Sequence, residues 1–154
     1  KGALGVLREI GRGRRKIAIL GNMLELGELT EEAHREVGRQ VIGLGVDVLV
    51  TVGEWARLAV EEALRLGKDE DEVFSYPTST QAIAGVVGML ESGDVVLVKG
   101  SRAMRMEEIA SAILNHQPGS YPSEGGRPSN SEGERRSRPL GDPRDPLREG
   151  ASEW

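Results

Sequence analysis

Between residues 2 and 116 the chain alternates two patterns. Short, nearly unbroken apolar runs at Lys16–Leu20, Asp47–Val52, Glu72–Tyr76 and Asp94–Val98 read as strands, because a strand buried on both faces carries few polar positions. Between them, apolar residues recur every three or four places: Ala33, Val37, Val41 and Leu44, then Ala56, Ala59, Val60 and Ala63, then Ile83, Val86, Val87 and Leu90, and lastly Met106, Ile109, Ala110 and Ile113. That spacing draws one stripe down a helix. Strand and helix in alternation predict a parallel sheet wrapped by helices. Thr30, and Thr78 or Ser79, stand where helices begin and are expected as N-caps, while Gly45, Gly67 and Gly93 stand where they end. Residues 2–10, GALGVLREI, read as a helix entering the first strand through the loop Gly11–Arg15. A helix feeding a first strand implies something upstream, and if that held another strand, the sheet here is incomplete at one edge.

The pattern stops near Gln117. Residues 117–154 gather six of the seven prolines with six glycines and six serines. Such a stretch buries too little apolar surface to offset the entropy of ordering it, so one domain over residues 1–116 and a disordered tail over 117–154 are expected. Charged residues make up 29% of the chain but balance to a net of −5, which argues against nucleic acid or a membrane surface as the main partner. There is no cysteine, so disulfide and thiolate chemistry are excluded. The longest apolar run, Ala82–Leu90, is broken by two glycines and falls well short of a membrane span. The chain opens on Lys1 rather than methionine, as a fragment of a longer protein would.

In open parallel sheets ligands bind beyond the carboxyl ends of the strands. Three expected strand ends carry glycine there: Gly21-Asn22, Gly53-Glu54 and Lys99-Gly100-Ser101-Arg102. At the last, Gly100 would admit a ligand to the backbone, Ser101 could cap the following helix, and that helix's first amides would attract an anion. Lys99 and Arg102 add positive charge, the guanidinium offering a bidentate grip on carboxylate or phosphate. The same residues also fit a purely structural helix start with solvated cations. The stretch Gly21–Gly27 fits a long loop with its apolar residues tucked beneath, Gly53 a tight turn, and His34, one turn from Val37, a partly buried, hydrogen-bonded ring rather than a metal ligand or general base. The basic cluster Arg12, Arg14, Arg15 and Lys16 lacks the interleaved aromatics of a nucleic-acid surface. The sequence has neither a G-x-x-x-x-G-K-[ST] phosphate loop nor a nucleophile or metal-ligand constellation, so no residue is assigned as catalytic or as a metal ligand.

The stretches KIAILGNMLELGELTEEAHREVG, VDVLVTVG and DVVLVKGSRAMRMEEIASAIL resemble, in order and spacing, the C-terminal domain of the Mur ligases, over roughly residues 1 to 115. The resemblance implies a Rossmann-like, doubly wound α/β domain with a mostly parallel sheet, the last of three domains in a cytoplasmic, ATP-dependent amide ligase of cell-wall synthesis. The branch it points to joins D-Ala-D-Ala to UDP-MurNAc-tripeptide through an acyl phosphate. ATP and Mg2+ would be held mainly by the central domain, so this segment alone would be inactive. Its partners would be those two substrates and the other domains of the same protein, with no nucleic acid and no membrane. By the same resemblance, Lys99, Gly100, Ser101 and Arg102 fall in the family's V-K-G-S-R motif near the incoming amino substrate. Gly21, Asn22 and Glu25 fall in its L-G-D-M-x-E-L-G loop and His34 on the following histidine, all facing domain closure. Asn22 replaces the usual aspartate, which removes a charge and keeps a hydrogen-bonding role. The family's D-x-Y-N-A-N-P stretch would precede the helix ending at Ile10, and the tail after Asn115 matches nothing in the family. The sequence also allows a free-standing α/β module that binds a small anion without catalysis, and a translated fragment with no function of its own.

Overall fold

The computed structural model describes residues 2–116, so the expected tail over 117–154 lies outside the described residues. Four strands, β1 (Lys16–Gly21), β2 (Val48–Val52), β3 (Val73–Tyr76) and β4 (Val95–Lys99), form one sheet in the order β3-β2-β1-β4. All three pairings are parallel, with Ile17 opposite both Val48 and Val96. Five helices alternate with them: α1 (Ala3–Ile10), α2 (Thr30–Gly43), α3 (Arg57–Arg65), α4 (Ser79–Met89) and α5 (Met106–Asn115). Each strand lies within one residue of its expected position.

Side chains of a strand alternate between its faces, and both faces here are covered. Leu4 and Leu7 of α1, Val41 of α2 and Ala59, Val60 and Ala63 of α3 close over Ala18, Leu20, Leu49 and Val73. On the opposite face Ala82 and Val86 of α4 and Met106 and Ile109 of α5 close over Ile17, Ile19, Val48, Val50 and Val52. This is the doubly wound arrangement. The chain proceeds outward from β1 to β3, then crosses back to set β4 on the other side of β1. The reversal of winding falls between β1 and β4.

Local chemistry explains the element ends. Thr78 caps α4, its hydroxyl accepting from the Gln81 amide at 3.3 Å. Thr30 does not act as the expected cap. A 3-10 turn at Gly27–Leu29 runs straight into α2, the cap position falls on Leu29, and the Thr30 hydroxyl donates back to the Gly27 carbonyl at 2.7 Å. The basic loop before β1 is a strap: Arg14 donates to the Gly93 carbonyl at 2.7 Å, and Arg15 meets Glu91 and Asp94 at 3.1 and 3.3 Å. Helices α2 and α3 approach closely at Gly38, where an added Cβ would stand 2.6 Å from the Ala59 carbonyl oxygen. Beside that contact the buried Glu62 carboxylate accepts from Arg65 at 2.7 Å and from Arg39 at 3.3 Å. Hydrogen bonding by Arg65, opposed by burial and reinforced by Arg39, holds its carboxyl down at about 2.

Candidate functional site

The carboxyl ends of β1 and β4 meet with almost no room between them. A Cβ built on Gly100 would lie 2.7 Å from Met106 Cγ and 3.0 Å from Gly21 Cα, and one on Gly21 would lie 3.0 Å from Met106 Sδ. The side of Gly100 where a Cβ would stand is therefore filled from within, by the first residue of α5 and the neighbouring strand end, while Gly100 itself stays exposed at the cavity described below. Ser101 follows in extended conformation, and its amide donates to the Asn22 carbonyl at 3.3 Å. It does not cap a helix: its buried hydroxyl has no hydrogen-bond partner among the described residues. A 3-10 turn at Arg102–Met104 and a left-handed Arg105, at φ 50°, intervene before α5 begins, so the amides of α5 start one turn later than expected.

The loop Gly21–Gly27 is pinned at two points. Asn22 Oδ1 accepts from the Ala56 amide at 2.8 Å, just ahead of α3, and its side chain lies against Gly53, where φ is +103° and a Cβ would collide with it at 2.5 Å. The hydrogen-bonding role open to asparagine here is thus filled, and Gly53 is the tight turn that admits it. His34, on α2 and only 2% exposed, accepts the Met23 amide on Nε2 at 3.0 Å and donates from Nδ1 to the Thr30 carbonyl at 2.6 Å. Both ring nitrogens are occupied, which fits the expected hydrogen-bonded histidine and leaves no lone pair for a metal. Glu25 sits at the loop's tip in the left-handed region, φ 65°, its carboxylate without a partner among the described residues.

These two segments, roughly 80 residues apart in sequence, border one cavity of about 410 Å³ on the face of α1 and α2. Of the residues singled out in the sequence, Gly21, His34, Lys99, Gly100 and Ser101 line it, while Asn22, Glu25 and Arg102 do not. Leu4, Leu20, Met23 and Leu97 make its wall apolar. Lys99 is exposed at its mouth and Arg102 stands exposed one turn on; neither forms an ion pair or side-chain hydrogen bond among the described residues. By contrast Arg105 is paired with Glu108. The site is an apolar hollow with an unneutralised cation at its rim and a second beside it, suited to a small ligand bearing a carboxylate or phosphate. No group of His, Asp and Glu able to hold a metal ion occurs among the described residues. Sequence reasoning missed Ala56, whose amide holds Asn22, and the half-exposed Trp55 beside it, because nothing within residues 53–57 signals a partner 34 positions away.

Comparison with known proteins adds an independent line. A family model described as "Mur ligase, glutamate ligase domain" matches residues 1–102. The UDP-N-acetylmuramoyl-tripeptide--D-alanyl-D-alanine ligase of Bacillus subtilis is 31% identical over 114 residues, which are 74% of this chain and 25% of that protein. Its namesake from Synechocystis is 31% identical over 106 residues, 69% of this chain and 23% of that protein. The chain thus spans about a quarter of the length of these relatives. Among solved structures, one of MurF from Acinetobacter baumannii superposes with a TM-score of 0.60 at 22% identity, covering 72% of this chain and 25% of that one, a likeness of fold.

Proposed function

The chain belongs to the Mur ligase family through its glutamate ligase domain, and on that premise we propose that it is the C-terminal domain of an enzyme joining D-alanyl-D-alanine to UDP-N-acetylmuramoyl-tripeptide at the expense of ATP. The observation that carries this reading is the convergence of the Gly21–Gly27 loop and the Lys99–Ser101 segment on one cavity at the reversal of winding, where open α/β sheets hold their ligands. The reaction transfers a phosphoryl group to the precursor's terminal carboxylate. The dipeptide amine then attacks the acyl carbon, a C–N bond forms, the C–O bond to phosphate breaks, and the amine proton is lost. Negative charge is present on the acyl phosphate and grows on the tetrahedral intermediate.

Lys99 and Arg102 are the groups of this chain suited to that charge, since they stand on the end of β4 and the turn after it and are not neutralised by a carboxylate among the described residues. Oriented donors in a water-poor site stabilise such charge far better than water does. The apolar wall accommodates the small methyl-bearing dipeptide. The residues present do not fit ATP or Mg2+: the sequence has no phosphate loop and the described residues no metal-binding cluster. Both are assigned to the rest of the enzyme, and this domain's part is to bind, orient and exclude water when the site closes. Consumption of ATP and a UDP-linked precursor belongs to the cytoplasm, and no helix among the described residues is long and apolar enough to cross a membrane.

The test is ADP release by the full-length enzyme containing this domain. Release that requires both the tripeptide precursor and D-Ala-D-Ala, and is absent for the 154-residue chain alone, is the expected result. Release driven equally by another amine, or tight binding of a small anion by this chain alone with no ligase activity in the longer protein, overturns it in favour of a different ligase or of a binding module.

A further inference from the structure

The partners of His34 fix the state of its ring. The Thr30 carbonyl can only accept, so Nδ1, 2.6 Å away, carries the proton; the Met23 amide can only donate, so Nε2, 3.0 Å away, offers its lone pair. These contacts define a neutral imidazole in one tautomer. The same peptide group is held from its far side as well. The Asn22–Met23 bond is trans, so its N–H and C=O point in opposite directions: the N–H meets His34 on α2, and the C=O accepts the Ser101 amide at 3.3 Å. One peptide plane thus stands between a ring on α2 and the segment that leaves β4. Ser101 sits between the cations Lys99 and Arg102, and its hydroxyl makes no hydrogen bond among the described residues, so its backbone contact is what orients it.

We propose that His34 is a positioning residue for the amide-forming reaction: through the Asn22–Met23 peptide it sets the orientation of Ser101 and, with it, of Lys99 and Arg102. The inference rests on the function proposed above. The lever is directional. A second ring proton would set Nε2–H against the Met23 N–H, donor on donor, and the peptide plane would have to turn; its C=O would turn with it, away from Ser101. Hydrogen bonds linked in this way polarise one another, so the ring acts on a contact it does not touch. The charges around His34 leave this path intact. Lys99, from the end of β4, is the one other titratable side chain lining the cavity with it, and no carboxylate does. From α1, β1 and α3 the cavity receives Leu4, Leu20, Ala56 and Ala59. On α2 itself Glu31 and Arg35 pair with each other at 3.1 Å, and Glu25 stands at the tip of the loop.

Amide hydrogen exchange in the 154-residue chain reads the contact directly. Nitrogen NMR of the ring is expected to place the proton on Nδ1. In His34→Leu, exchange at Met23 and Ser101 is expected to rise together by roughly tenfold or more while the amides of β1 and β2 hold. His34→Gln, whose side-chain oxygen reaches the Nε2 position and accepts, is expected to restore most of the protection at both. Should His34→Leu fail to fold, lowering the pH of the parent from about 8 towards about 5, where imidazoles gain charge, is expected to release both amides together after correction for intrinsic exchange. A proton on Nε2, or a Ser101 amide that stays protected when Met23 is released, overturns the proposal. In the full-length enzyme His34→Leu is expected to lower kcat by roughly 10- to 100-fold, the scale of displacing aligned groups, with KM for ATP nearly unchanged. His34→Gln is expected to recover most of that loss and to flatten the acid limb of the pH profile. An active enzyme whose kcat is indifferent to His34→Leu also overturns it. A full-length protein without ligase activity sinks the function proposed above instead, and amide exchange still decides whether His34 positions Ser101.

Discussion

Replacing Gly100 by alanine tests how the centre of the site is packed. Gly100 does not adopt a positive φ, so the backbone accepts alanine and the whole penalty is steric. The new methyl would stand 2.7 Å from Met106 Cγ, 3.0 Å from Gly21 Cα and 3.2 Å from Gly21 N. Met106 Cγ is near the root of a buried side chain, and Gly21 is backbone at the end of β1, held between β2 and β4, so neither moves aside freely. Overpacking of this kind costs about 1–3 kcal/mol, against which alanine returns about 0.4–1 kcal/mol by restricting the unfolded chain. The net is about 0–2.6 kcal/mol, centred near 1.3, a fall in Tm on the order of 5–10 °C at the centre for a domain this size. Thermal and urea melts followed by circular dichroism measure it. Adding Met106→Ala in a double-mutant cycle should recover part of the loss, a coupling of about 0.5–1.5 kcal/mol, but not all, because the Gly21 contact survives. A Gly100→Ala protein that melts well above the parent would refute the reasoning: the strand ends would then be looser than described.

In the full-length enzyme, Lys99→Met or Arg102→Met should lower turnover by roughly 10- to 1000-fold with little change in melting, since exposed charges contribute little to folding; steady-state kinetics on folded variants decides, and a large loss in Arg102→Lys would mark bidentate anion recognition rather than a diffuse field. Asn22→Ala removes the acceptor for the Ala56 amide ahead of α3 and should cost about 0.5–2 kcal/mol, whereas Asn22→Asp keeps the acceptor, adds charge at a helix N-terminus and should gain about 0.3–1 kcal/mol; urea midpoints that rank Asp below Asn contradict this. Because the folded Glu62 carboxyl is held down at about 2, its contribution is present above the ordinary glutamate range and lost as pH falls from about 4.5 towards 2. Glu62→Gln should flatten the acid limb of the stability curve in that window, and an unchanged limb would show that the arginines do not hold the charge.

The sheet was legible because its strands are β-branched runs with almost no polar interruption, and their order with the helices leaves a parallel arrangement as the natural outcome. The convergence of Gly21 and Lys99-Gly100-Ser101 was legible too, from the rule that strand ends share a rim. What escaped were contacts made across the fold. Nothing near Gly100 announces that Met106 fills its missing side chain. Ser101 looks like a cap because serine usually is one before a helix, but the left-handed backbone at Arg105 delays that helix, and arginine carries no sequence signal for positive φ. Thr30 misled for the opposite reason: a 3-10 turn enters the helix without a break, so no cap is required of it.

The two pins of the Gly21–Gly27 loop bear on time as well as shape. Met23 is tied to α2 through His34 and Asn22 to the start of α3 through Ala56, and those helices are joined by the ion pairs of Arg39 and Arg35 with Glu62. A surface loop left to itself rearranges in nanoseconds to microseconds. This one has surrendered its own clock, and the segment Gly21–Met23 can rearrange only as fast as the helix pair shifts, at the slower pace of packed helices.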